Sequence, residues 1–143
     1  MIVYIDTSAF LRGLLSNSSD HQACRDLVHG TQGNELVSSE VLRLEARRVG
    51  IRLANKVHGG VDPRPGIEAM LTRVSLVRLS DAILSSAESI PETLKSLDAL
   101  HLATALAIQS DVAALVTYDL AMARVAEAHG LRVCTASELL GRQ

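Results

Sequence analysis

Short apolar runs of strand length alternate along the chain with stretches of helical period, and this alternation restricts the fold more than any other feature. IVYI (2–5) precedes SAFLRGLL, and LVSS (36–39) precedes a helical stretch from Glu40 to about Val57. SLVRL precedes DAILSSAESI, AALVTY (113–118) precedes DLAMARVAEAH (119–129), and LRVCT precedes a short ASELL helix. IEAMLTR and SLDALHLATALAI (96–108) also read as helices, while HGGVDPRPG (58–66) is a loop dense in Gly and Pro. Gly130 stands where a helix ending at His129 is expected to close. Such alternation argues an α/β fold with a central parallel sheet and helices on its faces. In these sheets ligands sit beyond the carboxyl ends of the strands, where the strand order reverses. The length of 143 residues suits a single domain spanning 1–143. With 2% aromatic residues, no Trp and one Phe, its core must be built from Leu, Val, Ile and Ala.

Several function classes carry no support. A formal net charge of −2 does not announce nucleic acid, although a local basic patch is compatible with it. Cys24 and Cys134 stand in no metal spacing and are expected as two reduced core thiols. Asp6, Thr7 and Ser8 interrupt the opening apolar run, so no signal peptide is expected. No segment approaches the roughly 20 apolar residues that span a bilayer. The expected compartment is the cytoplasm. Neither GxGxxG nor a P-loop occurs, so nucleotide cofactors are not expected.

Four acids stand in telling places. Asp6 ends the first apolar strand, and Asp119 follows LVTY and opens a helix. Either could be a helix N-cap accepting an amide hydrogen bond. Asp98 opens a helix that is apolar nearly all round, with His101 and Thr104 as its other polar positions along one side. A carboxylate on a buried helix is costly unless paired or bound to a metal, the alternative being rescue by first-turn amides. Glu45 lies at the edge of a stripe formed by Leu42, Ala46, Val49, Leu53 and Val57. Its alternative role is a surface pair with Arg48, and Glu40 is a rival acid whose place suggests first-turn or cap chemistry. Carboxylates that converge need a counter-charge. Oxygen ligands with little His or Cys favour Mg²⁺ or Mn²⁺ over zinc. Such ions activate water and hold a phosphodiester for in-line attack.

Taken in order, MIVYIDTSAF, SSEVLRLEARR, LDALHLATAL and LVTYDLAMARVAEAHGLRV resemble the PIN-domain ribonucleases, and most closely the VapC toxins of toxin–antitoxin pairs. The likeness covers most of the chain and is weakest over 54–95. LDALHLATA is its most specific part. The resemblance implies a three-layer α/β/α sandwich and a Mg²⁺- or Mn²⁺-dependent endoribonuclease acting on RNA. It also implies a homodimer and a cognate VapB-like antitoxin. By position it assigns the catalytic, metal-binding acids to Asp6, Glu45, Asp98 and Asp119. Thr7, Ser8 and Thr117 match supporting positions that orient acids or water. Many relatives have a Pro after the last strand, where this chain continues as CTASELL.

Other readings compete. Asp98-x-x-His101 resembles half of a di-metal bundle site, but no second copy exists, and a hydrogen-bonded structural histidine is the alternative. Arg43, Arg47, Arg48 and Arg52 form either a solvated basic face or a phosphate-binding one. Arg12 and Arg48 are candidates for RNA contact. A phosphatase of the haloacid-dehalogenase type also places an Asp after its first strand and uses Mg²⁺, but needs a second Asp where this chain has Ser8. A non-catalytic binding module would use the acids as caps alone. A DNA nuclease or RNA-processing enzyme would keep the same chemistry.

Overall fold

The computed structural model describes residues 1–30, 33–56 and 60–141. Its strands are β1 (Ile2–Ile5), β2 (Glu35–Ser39), β3 (Val74–Val77), β4 (Val112–Val116) and β5 (Val133–Cys134). They form one sheet in the order β3-β2-β1-β4-β5, with every neighbouring pair parallel. β1 is the middle strand. A strand covered on both faces buries successive side chains, which is why IVYI is apolar throughout rather than at alternate positions. Val3 and Ile5 face a layer that holds α1 (Thr7–Leu14), α2 (His21–Val28), α3 (Val41–Lys56) and α4 (Arg64–Leu71), packed through Phe10, Leu27, Leu42 and Met70. Tyr4 faces the opposite layer, where α6 (Ser96–Ala107) and α7 (Leu120–Ala128) pack through Leu102 and Met122. Each such fully buried apolar side chain contributes about 1.5–3 kcal/mol of transfer free energy. α5 (Asp81–Glu88) packs along α6, and α8 (Ala136–Leu139) packs on α2. This is the expected α/β/α sandwich. Among the described residues, Tyr4 and Phe10 are the aromatic rings with no exposed surface, so the core is aliphatic as the composition requires. Both cysteines are buried and unpaired. No helix among the described residues is long and apolar enough to cross a membrane.

Particular elements depart from the sequence pattern. α2 carries no strong signal, because its buried face is made of Ala23, Cys24, Leu27 and Val28, two of which are small. α4 begins at Arg64, inside the Gly/Pro-rich run; Pro65 fits the first helical turn, where a missing N–H loses no bond. Residues 58 and 59 of that run, and Val57 of the α3 stripe, lie outside the described residues. Along α3 the buried positions are Val41, Leu42, Ala46 and Gly50, while Val49 and Leu53 are only half-buried. Gly50 explains the rotation: a Cβ there would stand 2.8 Å from Ile67 Cδ1, so α4 approaches α3 where no side chain intervenes. The strand expected over 113–118 ends at Val116, because the Tyr118 amide turns out of the ladder and donates to Ser8 Oγ at 2.9 Å. The tail after β5 is tied down. Ala136 N donates to the Tyr118 hydroxyl oxygen at 3.0 Å, the Tyr118 hydroxyl donates to Asp20 at 2.6 Å, and Ser137 also donates to Asp20.

From the middle of the sheet the chain winds one way through β2 and β3 and the other way through β4 and β5. The reversal lies between β1 and β4, which are paired up to Ile5 and Val116. Asp6 and Asp119 both follow these strands, at the crevice that such a reversal opens.

Candidate active site

Both strand-end aspartates are caps. Asp6 Oδ1 accepts from the Ala9 amide at 3.1 Å and from Ser8 Oγ at 2.6 Å, and its Oδ2 accepts from Thr117 Oγ1. Asp119 Oδ1 accepts from the Met122 amide at 2.9 Å. Capping uses one carboxylate oxygen, however, and does not explain why these groups face one another. Asp6 is 3% exposed, and burial pushes its carboxyl above the ordinary value against the opposing hydrogen bonds from Ser8, Thr117 and Ala9.

Asp98 stands in the first turn of α6 and accepts no hydrogen bond among the described residues, so amide rescue does not account for it. Burial raises its pKa first, and the charges of Asp119 and Asp6 raise it further. Glu45 reaches in from α3. Its Oε1 accepts from Thr7 Oγ1 at 2.7 Å and lies 3.0 Å from His101 Nε2. Burial pushes Glu45 up, but its hydrogen bonds with His101 and Thr7 outweigh burial and hold it below the ordinary glutamate range. The four acids line one cleft of about 380 Å³. Four distant segments thus deliver like charges to one place, as expected of the acid set.

The supporting residues sit beside their acids. Thr7 serves Glu45, while Ser8 and Thr117 serve Asp6. Thr117 Oγ1 also accepts from the Asp119 amide at 3.1 Å, which links the two strand-end acids. Glu40 is elsewhere: its Oε1 accepts from the Leu79 amide at 2.8 Å and holds the turn between β3 and α5. His101 is 1% exposed and both its ring nitrogens meet protein groups, Tyr4 on one side and Thr7 and Glu45 on the other. It is therefore engaged as a structural histidine. Arg12 lies outside the cleft, 4.2 Å over the Tyr118 ring and bonded to Ser19. Arg48 is exposed on α3. Lys95, Ser96 and Leu97 complete the wall beside Asp98. Polar or apolar residues at a helix start carry no periodic signal; only their adjacency to Asp98 could have marked them.

Among the described residues no three His, Cys, Asp or Glu side chains form a ready-made cage for a metal. The arrangement suits an ion that keeps part of its water. Mg²⁺ usually takes one or two carboxylates plus substrate phosphate oxygens and retains several waters. Among the described residues Asp98 accepts no hydrogen bond, and Asp119 and Glu45 each keep one oxygen free of hydrogen bonds. A set of carboxylate oxygen donors in an open cleft fits Mg²⁺ or Mn²⁺ rather than zinc.

A family model described as the PIN domain matches residues 3–128. The chain belongs to the PIN-domain family. Within it, this PIN-domain chain is 32% identical to Ribonuclease VapC47 of Mycobacterium tuberculosis (strain CDC 1551 / Oshkosh), over 82% of this chain and 85% of that protein. It is 31% identical to Ribonuclease VapC46 of the same species (strain ATCC 25618 / H37Rv), over 94% and 98% of the two chains. The resemblance to VapC ribonucleases is borne out, and it displaces the phosphatase reading. Among solved structures, VapBC2 from Rickettsia felis, bound to a DNA fragment from its promoter, superposes with a TM-score of 0.68 at 15% identity, covering 94% of this chain and 98% of that one. At that identity the likeness carries the fold.

Proposed function

We propose that this PIN-domain protein is a divalent-metal-dependent endoribonuclease and the toxin of a toxin–antitoxin pair. The observation that carries the reading is the delivery of Asp6, Glu45, Asp98 and Asp119 into one cleft, with no hydrogen bond to Asp98 among the described residues. The ribonuclease names of its relatives support the substrate class, and the Rickettsia felis VapBC2 structure supports a VapB-like antitoxin as partner. A homodimer and a cytoplasmic location belong to the same proposal.

Asp98, Asp119 and Glu45 would hold the ion through their free oxygens, with Asp6 completing the set. When bound, Mg²⁺ or Mn²⁺ supplies Lewis acidity that activates water and offsets charge on the scissile phosphodiester. Ser8 and Thr117 fix the orientation of Asp6, and Thr7 fixes Glu45, so the acids need little reorganisation. Lys95 makes no ion pair among the described residues and lines the cleft, where its ammonium can meet a backbone phosphate. Arg48 and Arg52 are exposed on α3 and continue the Glu45 side of that helix, whereas Arg47 is tied to Glu68 at 2.8 Å. Arg12, committed to Tyr118 and Ser19, is the weaker candidate for RNA contact.

Structured RNA incubated with the purified protein should be cut with Mn²⁺ or Mg²⁺ and left intact in excess EDTA. Full cleavage in EDTA would overturn the metal mechanism. Lys95→Ala should raise KM for RNA several-fold with a smaller change in kcat, since a phosphate contact made in both ground and transition states acts on binding. Steady-state kinetics check this, and an unchanged KM would remove Lys95 from the RNA path.

A further inference from the structure

We infer that Tyr4 and His101 form a buried relay that positions Glu45 and leaves its Oε2 free for the metal ion. This rests on the metal-site reading above and adds two positioning residues to it. Tyr4 Oη lies 2.8 Å from His101 Nδ1, with the rings edge to face at 83° and centroids 6.0 Å apart. His101 Nε2 lies 3.0 Å from both Glu45 Oε1 and Thr7 Oγ1. Tyr4 has no exposed surface and His101 is 1% exposed, so water does not substitute for either partner.

Counting protons sets the direction of the relay. Thr7 has one hydroxyl proton and gives it to Glu45 Oε1 at 2.7 Å. A carboxylate has none to give. The proton between His101 Nε2 and these two oxygens must therefore come from Nε2. In the neutral imidazole Nδ1 is then an acceptor, and the Tyr4 hydroxyl donates to it. Tyr4 thus selects the tautomer, His101 passes that choice across the ring, and Glu45 Oε1 is held by two donors. No described residue bonds to Glu45 Oε2, which remains for the cleft. Metal-ligating groups are commonly held by such outer partners, whose loss weakens metal binding about 10–100-fold.

Tyr4→Phe isolates the relay. It keeps the ring and its packing, touches neither the cleft nor RNA, and removes only the hydroxyl. Nδ1 then loses its donor, and the buried ring can regain a proton-bearing Nδ1 only by presenting a lone pair to Glu45. Mn²⁺ affinity, measured by titration calorimetry without RNA, should fall about tenfold. His101→Gln keeps a donor amide near the Nε2 position and should retain most of the affinity. Adding Tyr4→Phe to His101→Gln should change little further, because Tyr4 acts through the imidazole. Circular dichroism and melting curves confirm that each variant is folded. Wild-type Mn²⁺ affinity in Tyr4→Phe would overturn the relay, as would losses that simply add in the double variant. If the wild type binds no Mn²⁺, or Glu45→Gln binds it equally well, the metal-site reading fails and the relay fails with it. That result is distinguishable from failure of the relay alone.

Discussion

Asp98→Asn is expected to reduce RNA cleavage by on the order of a hundredfold or more while leaving the metal-free protein at least as stable as the wild type. Asn keeps the shape but loses the anionic oxygen that no donor among the described residues engages. The stability effect follows from the raised pKa. Burial raises the Asp98 carboxyl, and Asp119 and Asp6 raise it further, so the folded-state value exceeds the unfolded one. A group of that kind favours folding below its unfolded pKa, and the advantage is lost as pH rises through the folded value. At neutral pH the ionised group opposes folding. Removing its charge should raise apo stability by roughly 0.5–1 kcal/mol after solvent screening, a shift of about 2–4 °C for a chain near this size. The gap should close as pH falls toward the ordinary aspartate range. Mn²⁺ stabilises the wild type by ligand mass action and should stabilise the variant much less. Melting curves from pH 4 to 8, with EDTA and with Mn²⁺, decide the matter. A clear fall in apo melting temperature with an unchanged Mn²⁺ response would make Asp98 a structural group.

Asp98 was legible in the sequence for the same reason that it is proposed as a metal ligand. A carboxylate beside an apolar helical run has few structural excuses, and α6 supplies none of them. The sheet was legible because buried parallel strands are continuously apolar, as β1 and β4 are. Asp6 and Asp119 were less sharply marked, since each also serves as a cap. The stripe edge pointed to Glu45 and the helix start made Glu40 a cap, but the partner that holds Glu40 away from the cleft, the Leu79 amide, lies 39 positions from it and has no local signal. Tyr4 was hidden further, because a tyrosine in a central strand reads as core and its hydroxyl partner lies 97 positions away. The buried face of α3 was displaced by the close approach of α4 at Gly50, and Gly has no place on an apolar stripe. Local composition thus reveals which groups are costly, whereas the bonds that orient them depend on which helix crosses which strand.

Glu45→Gln should abolish cleavage about as thoroughly as Asp98→Asn, yet carry the opposite stability signature. Glu45 is held below the ordinary glutamate range: burial pushes it up, and hydrogen bonds with His101 and Thr7 more than reverse that push. Its ionised form therefore favours folding. That contribution is present above the unfolded pKa of about 4.3 and is lost as pH falls through the depressed folded value. Gln retains an acceptor for Thr7 but exchanges a charged hydrogen bond to His101 for a neutral one, which is weaker. At neutral pH the variant should be less stable by roughly 0.5–1 kcal/mol after solvent screening of this partly exposed group. The difference should shrink below about pH 4, where the Asp98→Asn difference also closes from the other side. Glu40→Gln is the control. Its amide oxygen can still accept from Leu79, and the side chain stands away from the cleft, so cleavage should stay near the wild-type rate. Rates and pH-dependent melts of the variants, compared at equal folded concentration, test both parts. Loss of cleavage in Glu40→Gln alone would transfer the metal role to Glu40. A Glu45→Gln protein more stable than wild type at neutral pH would mean that His101 and Thr7 do not hold the carboxylate in its charged form, because repulsion within the acid cleft would then outweigh those two hydrogen bonds.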